Sequence, residues 1–262
     1  MCLILLAYRA HPEYPLIVAA NRDEAYARPT APAAFWSDHP RICSGRDLEH
    51  GGTWLGLAAS GRFAAITNYR QGQRLAAAAR SRGQLTRDYL TGSTETNAYL
   101  RMVEAHRHHY NGFSLIAGGL DSLGFFSNRG GRIQAIAPGI HGLSNHLLNE
   151  PWPKVRRGIE GMSALLAANE AQLMGSLFTL LADRTPAPDA LLPATGIALE
   201  RERTVSAAFI ASEIYGTRAS TVVLISAAGE VTFCERSYGP RGTPAGVSEQ
   251  RFQLERETYC SS

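Results

Sequence analysis

Short apolar runs separated by turn residues constrain this chain more than any other feature. Residues 2–8 (CLILLAY) and 16–20 (LIVAA) flank the turn His11-Pro12-Glu13-Tyr14-Pro15 and read as a buried hairpin. Trp54-Leu55-Gly56-Leu57 and Arg62-Phe63-Ala64-Ala65-Ile66-Thr67 flank Ser60-Gly61 in the same way. No run reaches the roughly 18–20 apolar residues that a membrane helix needs. The opening run has no basic segment before it and meets Arg9 at once, so it reads as a strand and not as a signal peptide. The expectation is a soluble, cytoplasmic protein.

Further strands are expected at 113–117, 123–127, 133–137, 207–210, 221–225 and 231–235, and helical patterns cover 81–90, 94–108, 154–169 and 170–182. Pro151 and Pro153 lie just before the third helix, as a helix start favours. A Pro/Ala-rich loop is expected after Glu24 to about Pro40, a Pro-rich loop or linker over 183–193, and no strong pattern from about Gly239 onward. This order suits an α+β fold: two layers of mainly antiparallel sheet with helices outside. With 262 residues, 45% of them hydrophobic, the chain can bury a sizeable core. Nothing forces an internal boundary or repeat, so one domain over 1–262 is expected, with a weakly patterned tail from about 239.

The formal net charge is only +3, and Lys154 is the only lysine among 26 Lys and Arg. The arginines are scattered without a basic stripe, which argues against a nucleic-acid partner and leaves a small molecule as the expected one. The four cysteines, Cys2, Cys43, Cys234 and Cys260, are far apart with no Cys-x-x-Cys pair. Neither a disulfide framework nor a metal site is expected. Cys43 and Cys234 read as small core residues, and Cys260 lies in a polar tail.

Cys2 differs because of its position. Loss of Met1 would make it the terminal residue, whose α-amine, with a pKa near 7.7–8.0, can take the thiol proton. Asn21-Arg22-Asp23-Glu24 follows a buried run and is expected at a sheet end, where Asp23 could orient the amine or thiol. A solvated turn with Asn and Asp caps explains the same four residues. Asn68 and Asn145 each follow a strand-like run and could donate to an oxyanion, or simply form turns. Arg218, just before a core strand, could steady a thiolate or grip an acidic group.

Several blocks together resemble the NRDE family, also called the transport and Golgi organisation 2 family. They are Met1-Cys2, Asn21-Arg22-Asp23-Glu24, Gly52-Thr53-Trp54-Leu55-Gly56, Thr67-Asn68-Tyr69-Arg70, Ser81-Arg82-Gly83-Gln84-Leu85, Tyr110-Asn111-Gly112-Phe113, Gly142-Leu143-Ser144-Asn145, Pro151-Trp152-Pro153-Lys154 and Tyr215-Gly216-Thr217-Arg218. They span nearly the whole chain in order. More distantly, the family is similar to the N-terminal-nucleophile hydrolases of the bile-salt hydrolase and penicillin V acylase branch. That resemblance implies a four-layer αββα sandwich and an amidohydrolase site; no resident cofactor is expected. Cys2 matches the nucleophile and Asp23 its supporting aspartate. Asn68 and Asn145 match the positions that bind the oxyanion and the α-amine, and Arg218 matches an arginine near the nucleophile. Asn21 and Arg22 stand as supporting residues, and Trp54, Tyr69 and His146 as ligand contacts. One departure is visible: that branch carries an arginine just before the Asn of its Asn-x-Asp block, where this chain has Ala20.

The family resemblance also implies a non-enzymatic alternative, in haem trafficking or in Golgi organisation and lipid handling, with haem as a bound ligand. His106-Arg107-His108-His109, His141 and His146 are the available imidazoles, and no Cys-x-x-Cys-His motif is present. The 106–109 cluster also reads as a solvated helix end. A scaffold that keeps the fold without activity is a third reading.

Overall fold

The computed structural model describes residues 2–72, 80–166 and 170–255. One sheet is built from β1 (Cys2–Tyr8), β2 (Leu16–Ala25), β10 (Gly139–Leu143), β11 (Tyr215–Ile225), β12 (Glu230–Tyr238) and β13 (Pro244–Gln253), in the order β10-β1-β2-β11-β12-β13. The other runs in chain order from β3 (Thr30–Phe35) through β4 (Ile42–Asp47), β5 (Leu55–Ala58), β6 (Phe63–Asn68), β7 (Phe113–Gly118) and β8 (Leu123–Ser127) to β9 (Gln134–Ala135). Every pairing between these strands is antiparallel.

Strand alternation sorts the apolar residues into three buried clusters, one for each interface of four layers. Ile4, Leu6, Val18 and Val223 of the first sheet meet Leu57, Phe63 and Phe125 of the second between the sheets. The opposite face of the first sheet, with Leu3, Leu5, Ile17 and Leu224, packs under α3 (Pro153–Leu165) and α4 (Glu170–Leu181) through Val155, Met162 and Leu177. The outer face of the second sheet, with Ala64, Ile66 and Leu115, packs under α1 (Gly83–Thr91) and α2 (Thr96–Ala105) through Leu85, Tyr89 and Leu100. Each fully buried Leu or Ile in these layers contributes about 1.5–3 kcal/mol of transfer free energy. The architecture is the expected αββα sandwich.

Several local expectations are corrected. β2 runs through Asn21-Arg22-Asp23-Glu24 to Ala25 and is not followed by a turn there; Asn21, Arg22 and Asp23 are 1%, 5% and 2% exposed. The segment read as a Pro/Ala loop contains β3, an edge strand whose register shifts between Ala31 and Ala34, the bulge that accommodates Pro32. The weakly patterned tail holds β13, which pairs with β12 along its length. It is a largely exposed edge, so no apolar alternation marks it. Residues 207–210 are buried coil, tied by Phe209 N–H to the Asp183 carbonyl at 2.8 Å. The short helix α5 (Leu199–Val205) was not foreseen. Residues 167–169 of the expected third helix, and Cys260, lie outside the described residues.

Candidate active site

The register of β1 on β2 places Cys2 opposite Arg22, so the start of β1 meets the 21–24 block directly. Asp23 is the next residue along β2, and its main-chain amide favours the Cys2 thiolate. Across β11, Thr217 Oγ1 donates to Asp23 Oδ1 at 2.7 Å, while Ile210 N–H donates to Thr217 Oγ1 at 2.9 Å and so orients that hydroxyl. The Tyr215 hydroxyl donates to the Asp23 carbonyl at 3.1 Å.

The other side of Cys2 is held by the turn after β10. Cys2 N–H donates to Asn145 Oδ1 at 3.2 Å, and Ser144 Oγ donates to the Cys2 carbonyl at 2.9 Å. Asn145 Nδ2 donates to the Asn68 carbonyl at 2.9 Å, which fixes which end of the amide faces Cys2. Arg70 N–H donates to the Asn145 carbonyl at 2.7 Å. Asn145 adopts a left-handed backbone, φ 54°, which asparagine tolerates better than most residues.

Cys2, Asp23 and Asn68 line one cleft of about 350 Å³, together with Trp54 and the segment Arg80-Ser81-Arg82-Gly83 at the start of α1. Arg22 forms part of its wall. Its guanidinium lies 4.1 Å from the Trp54 ring centroid and donates to Thr30 Oγ1 at 2.9 Å and Asp47 Oδ2 at 3.4 Å. Burial pushes the Cys2 thiol above its ordinary pKa, and the charge of Asp23 adds to that, while Arg22 opposes it. Burial also pushes the Asp23 carboxyl up, against the pull of the Lys154 ammonium and the Thr217 hydrogen bond.

Four buried residues beneath this site were not singled out from the sequence. Arg70 Nη1 donates to Glu202 Oε2 at 2.6 Å, and its guanidinium lies 4.5 Å from the Trp152 ring centroid. Lys154, in the first turn of α3, is 2% exposed and has no hydrogen-bond partner for its Nζ among the described residues. Burial lowers its pKa to about 8. Its being the chain's only lysine, just after Pro153, was the signal that could have found it.

Other candidates lie elsewhere. Arg218 sits at the bulge where β11 shifts against β2, and its Nη1 donates to the carbonyls of Ala25, Tyr26 and Arg28 at 2.9, 3.0 and 2.9 Å. It lines a different cleft, with Glu235 and Val247, so it braces the chain after β2 and does not face Cys2. Asn21 ties β2 to the helical layer, donating to the Leu181 and Ala208 carbonyls at 2.8 Å each. Tyr69 and His146 pair outside the cleft. The Tyr69 hydroxyl lies 2.6 Å from His146 Nε2, and His146 Nδ1 lies 2.9 Å from Glu150 Oε2. His106 and His108 are exposed at the end of α2. Among the described residues no group of three or more His, Cys, Asp or Glu side chains could hold a metal, and no helix is long and apolar enough to cross a membrane.

Comparison with solved structures supports the architecture. Penicillin V acylase from Agrobacterium tumefaciens superposes with a TM-score of 0.51 at 11% identity, covering 88% of this chain and 82% of that one. A Caenorhabditis elegans N-acylethanolamine-hydrolyzing acid amidase ortholog does so with a TM-score of 0.51 at 10% identity, covering 85% and 92%. At such identities the likeness is one of fold, that of the N-terminal-nucleophile hydrolases. Sequence relatives are much nearer. The transport and Golgi organization protein 2 homolog of Bos taurus is 40% identical over 257 residues, covering 90% of this chain and 93% of that protein. The Homo sapiens homolog is 38% identical over the same length, with the same coverage. The Drosophila melanogaster protein is 29% identical over 261 residues, covering 90% and 92%. The family model for transport and Golgi organisation 2 matches residues 1–240, and the chain belongs to that family.

Proposed function

We propose that the protein is a cysteine amidohydrolase that acts on a small acyl amide, with Cys2 as N-terminal nucleophile once Met1 is removed. One observation carries this reading. Asn145 Oδ1 holds the Cys2 nitrogen at 3.2 Å, at the wall of a cleft that Cys2, Asp23 and Asn68 all line. A pre-set amine and thiol on one residue is what this chemistry needs. The three cysteines described, Cys2, Cys43 and Cys234, are free, which suits a reducing cytoplasmic compartment.

In the proposed sequence the neutral α-amine takes the thiol proton, directly or through water, as sulfur attacks the amide carbonyl. Asn145 Oδ1 faces the amine, so Asn145 orients the base, and Asn68 is left to donate to the oxyanion. The α-ammonium then protonates the leaving amine as the carbon–nitrogen bond breaks and a thioester forms. Water attacks the thioester, gives a proton to the α-amine, and the carboxylic acid leaves with the thiol restored. The arginines at 22, 28, 80 and 82 outnumber the acids at 23, 24 and 47 around the cleft, which suits a substrate with an anionic group.

The haem reading has less support. His146 already has both ring nitrogens engaged, by Tyr69 and Glu150, so it is not poised as an axial ligand.

The test begins with the intact mass of the purified protein, expected to lack Met1. A panel of N-acyl amides with acidic and neutral amine portions is then incubated with wild-type protein and Cys2→Ser. Release of free amine by wild-type alone supports the reading. Retained Met1, or no Cys2-dependent release across the panel, overturns it.

A further inference from the structure

Lys154 is the chain's single lysine, and its ammonium is buried where nothing described accepts a hydrogen bond from it. A buried, unpaired ammonium is costly, so its presence calls for an explanation, and a role at the adjoining site is one. Its place follows from packing. One helical turn further on, Gly158 lies so close to β1 that a Cβ there would meet Leu5 Cδ2 at 2.6 Å. The start of α3 is tied to the site as well: Trp152, two residues before Lys154, has the Arg70 guanidinium 4.5 Å from its ring centroid, and Arg70 N–H donates at 2.7 Å to the carbonyl of Asn145, the residue that holds Cys2.

Asp23 shares that layer. Asn21 points to the helices, as its bonds to Leu181 and Ala208 show, and Asp23 two residues on shares its face of β2. The charged and titratable groups acting on Lys154 are Asp23 from β2, Cys2 from β1, Arg70 after β6 and Glu202 from α5. Glu202 is held by Arg70 and by the Thr195 hydroxyl. Asp23 is the carboxylate that acts on Lys154 most strongly.

We propose that Lys154 is a positioning cation of this site: it shares Asp23 with the α-amine of processed Cys2, and its positive charge keeps that amine neutral and able to take the thiol proton. The inference rests on the amidohydrolase reading. An aspartate alone beneath the amine would favour the ammonium form and spoil the base. A second cation on the same carboxylate cancels that field, because a like charge nearby disfavours further protonation. Arg22 and Arg82, which also interact with Cys2, act in the same sense from the cleft side.

With Met1 removed, the chain has two amines, the α-amine and Lys154, so trace acetylation with acetic anhydride followed by peptide mass analysis reads both. The titration is run in a Cys2→Ser background, where no thiol intervenes, over pH 5–10. The α-amine midpoint is expected to rise by about one pH unit when Lys154→Met is added, the size expected for one charge at this range in a partly buried site. Lys154→Arg, which keeps the charge, is expected to leave it in place. Coincident midpoints for all three proteins overturn the proposal, as does a Lys154→Arg protein that behaves like Lys154→Met. Should Lys154→Met not fold, lysine labelled with ¹³C at Cε gives a single side-chain signal from the otherwise native chain. Its midpoint is expected to fall in Asp23→Asn, and an unmoved midpoint overturns the pairing. A processed chain with an unmoved α-amine defeats this inference alone, whereas retained Met1 defeats the amidohydrolase reading with it.

Discussion

The main-chain nitrogen of Cys2 lies 3.2 Å from Oδ1 of Asn145, and Asn145 reaches it from a left-handed backbone, φ 54°. The same side chain donates to the Asn68 carbonyl, so one residue joins β1 to the end of β6. A strained backbone angle in a residue that makes both contacts links stability and site geometry directly.

Replacing Asn145 with Ala removes both contacts and leaves a left-handed angle that alanine adopts at a cost of about 1–2 kcal/mol. Asn145→Ala is expected to lose about 2–3 kcal/mol in all once an orphaned partner is included. Asn145→Gly, free of the backbone cost, is expected to lose about 1 kcal/mol less. Urea denaturation midpoints check both, and equal midpoints for the two variants would contradict the role of the angle.

Asn68 contributes differently. Its carbonyl, not its side chain, accepts from Asn145, while the residue lines the cleft. Asn68→Ala is therefore expected to keep its stability within about 0.5 kcal/mol. On any amide the wild type cleaves, kcat/KM should fall about 10²–10³-fold, as for loss of an oxyanion donor. Steady-state kinetics beside a thermal melt separate the two, and a variant that melts early but turns over normally sinks the assignment.

The seating of α3 on β1 depends on Gly158, where an added Cβ would meet Leu5 Cδ2 at 2.6 Å. Gly158→Ala is expected to push the helix off the sheet at a cost of about 1–3 kcal/mol, outweighing alanine's better helix propensity. The measurement is chemical denaturation. A stabilised variant would show that the contact relaxes freely.

Glu235 gives a pH dependence with a definite sign. It is 2% exposed between the sheets, accepting from Ala33 N–H at 2.8 Å and from Thr221 Oγ1 at 3.0 Å. Burial raises its pKa to about 7. An unfolded glutamate titrates near 4.3, so between about pH 4.3 and 7 the native state holds a proton that the unfolded state has lost. This group's contribution to stability is therefore present below about pH 4.3 and is lost as pH rises through about 7, a change of a few kcal/mol. Glu235→Gln is expected to flatten the slope in that window and to be more stable than wild type at pH 8. Unfolding free energies of both proteins across pH 4–8 test this, and parallel curves would refute it.

How far the sequence reached is clearest at Asn21-Arg22-Asp23-Glu24. Its polar residues read equally as a site or as a solvated turn, because local pattern reports polarity and not burial. The structure buries three of the four within β2, where Ser220, Thr217 and Asp47 supply partners from distant strands. The edge strands β3 and β13 were missed for a related reason. Their outer faces meet solvent, so neither alternation nor an apolar run marks them, and their order comes from a neighbour's ladder.

The sequence alone determined the layered α+β architecture, through short apolar strands set between amphipathic helices, and it marked Cys2, Asp23, Asn68 and Asn145 as candidates to be brought together. Those are properties of local periodicity and of residue chemistry, which the chain carries at every point. Only the tertiary structure decided that Arg218 braces carbonyls away from Cys2, that His146 is tied to Tyr69 and Glu150, and that the lone lysine is buried with no hydrogen-bond partner among the described residues. These facts rest on strand register, on the meeting of the segments after β6 and β10, and on the close approach of α3 to β1. Apart from the local His146–Glu150 contact, they join segments far apart in sequence, 77 positions for Tyr69 and His146 and 193 for Ala25 and Arg218, and are fixed by the packing of whole layers.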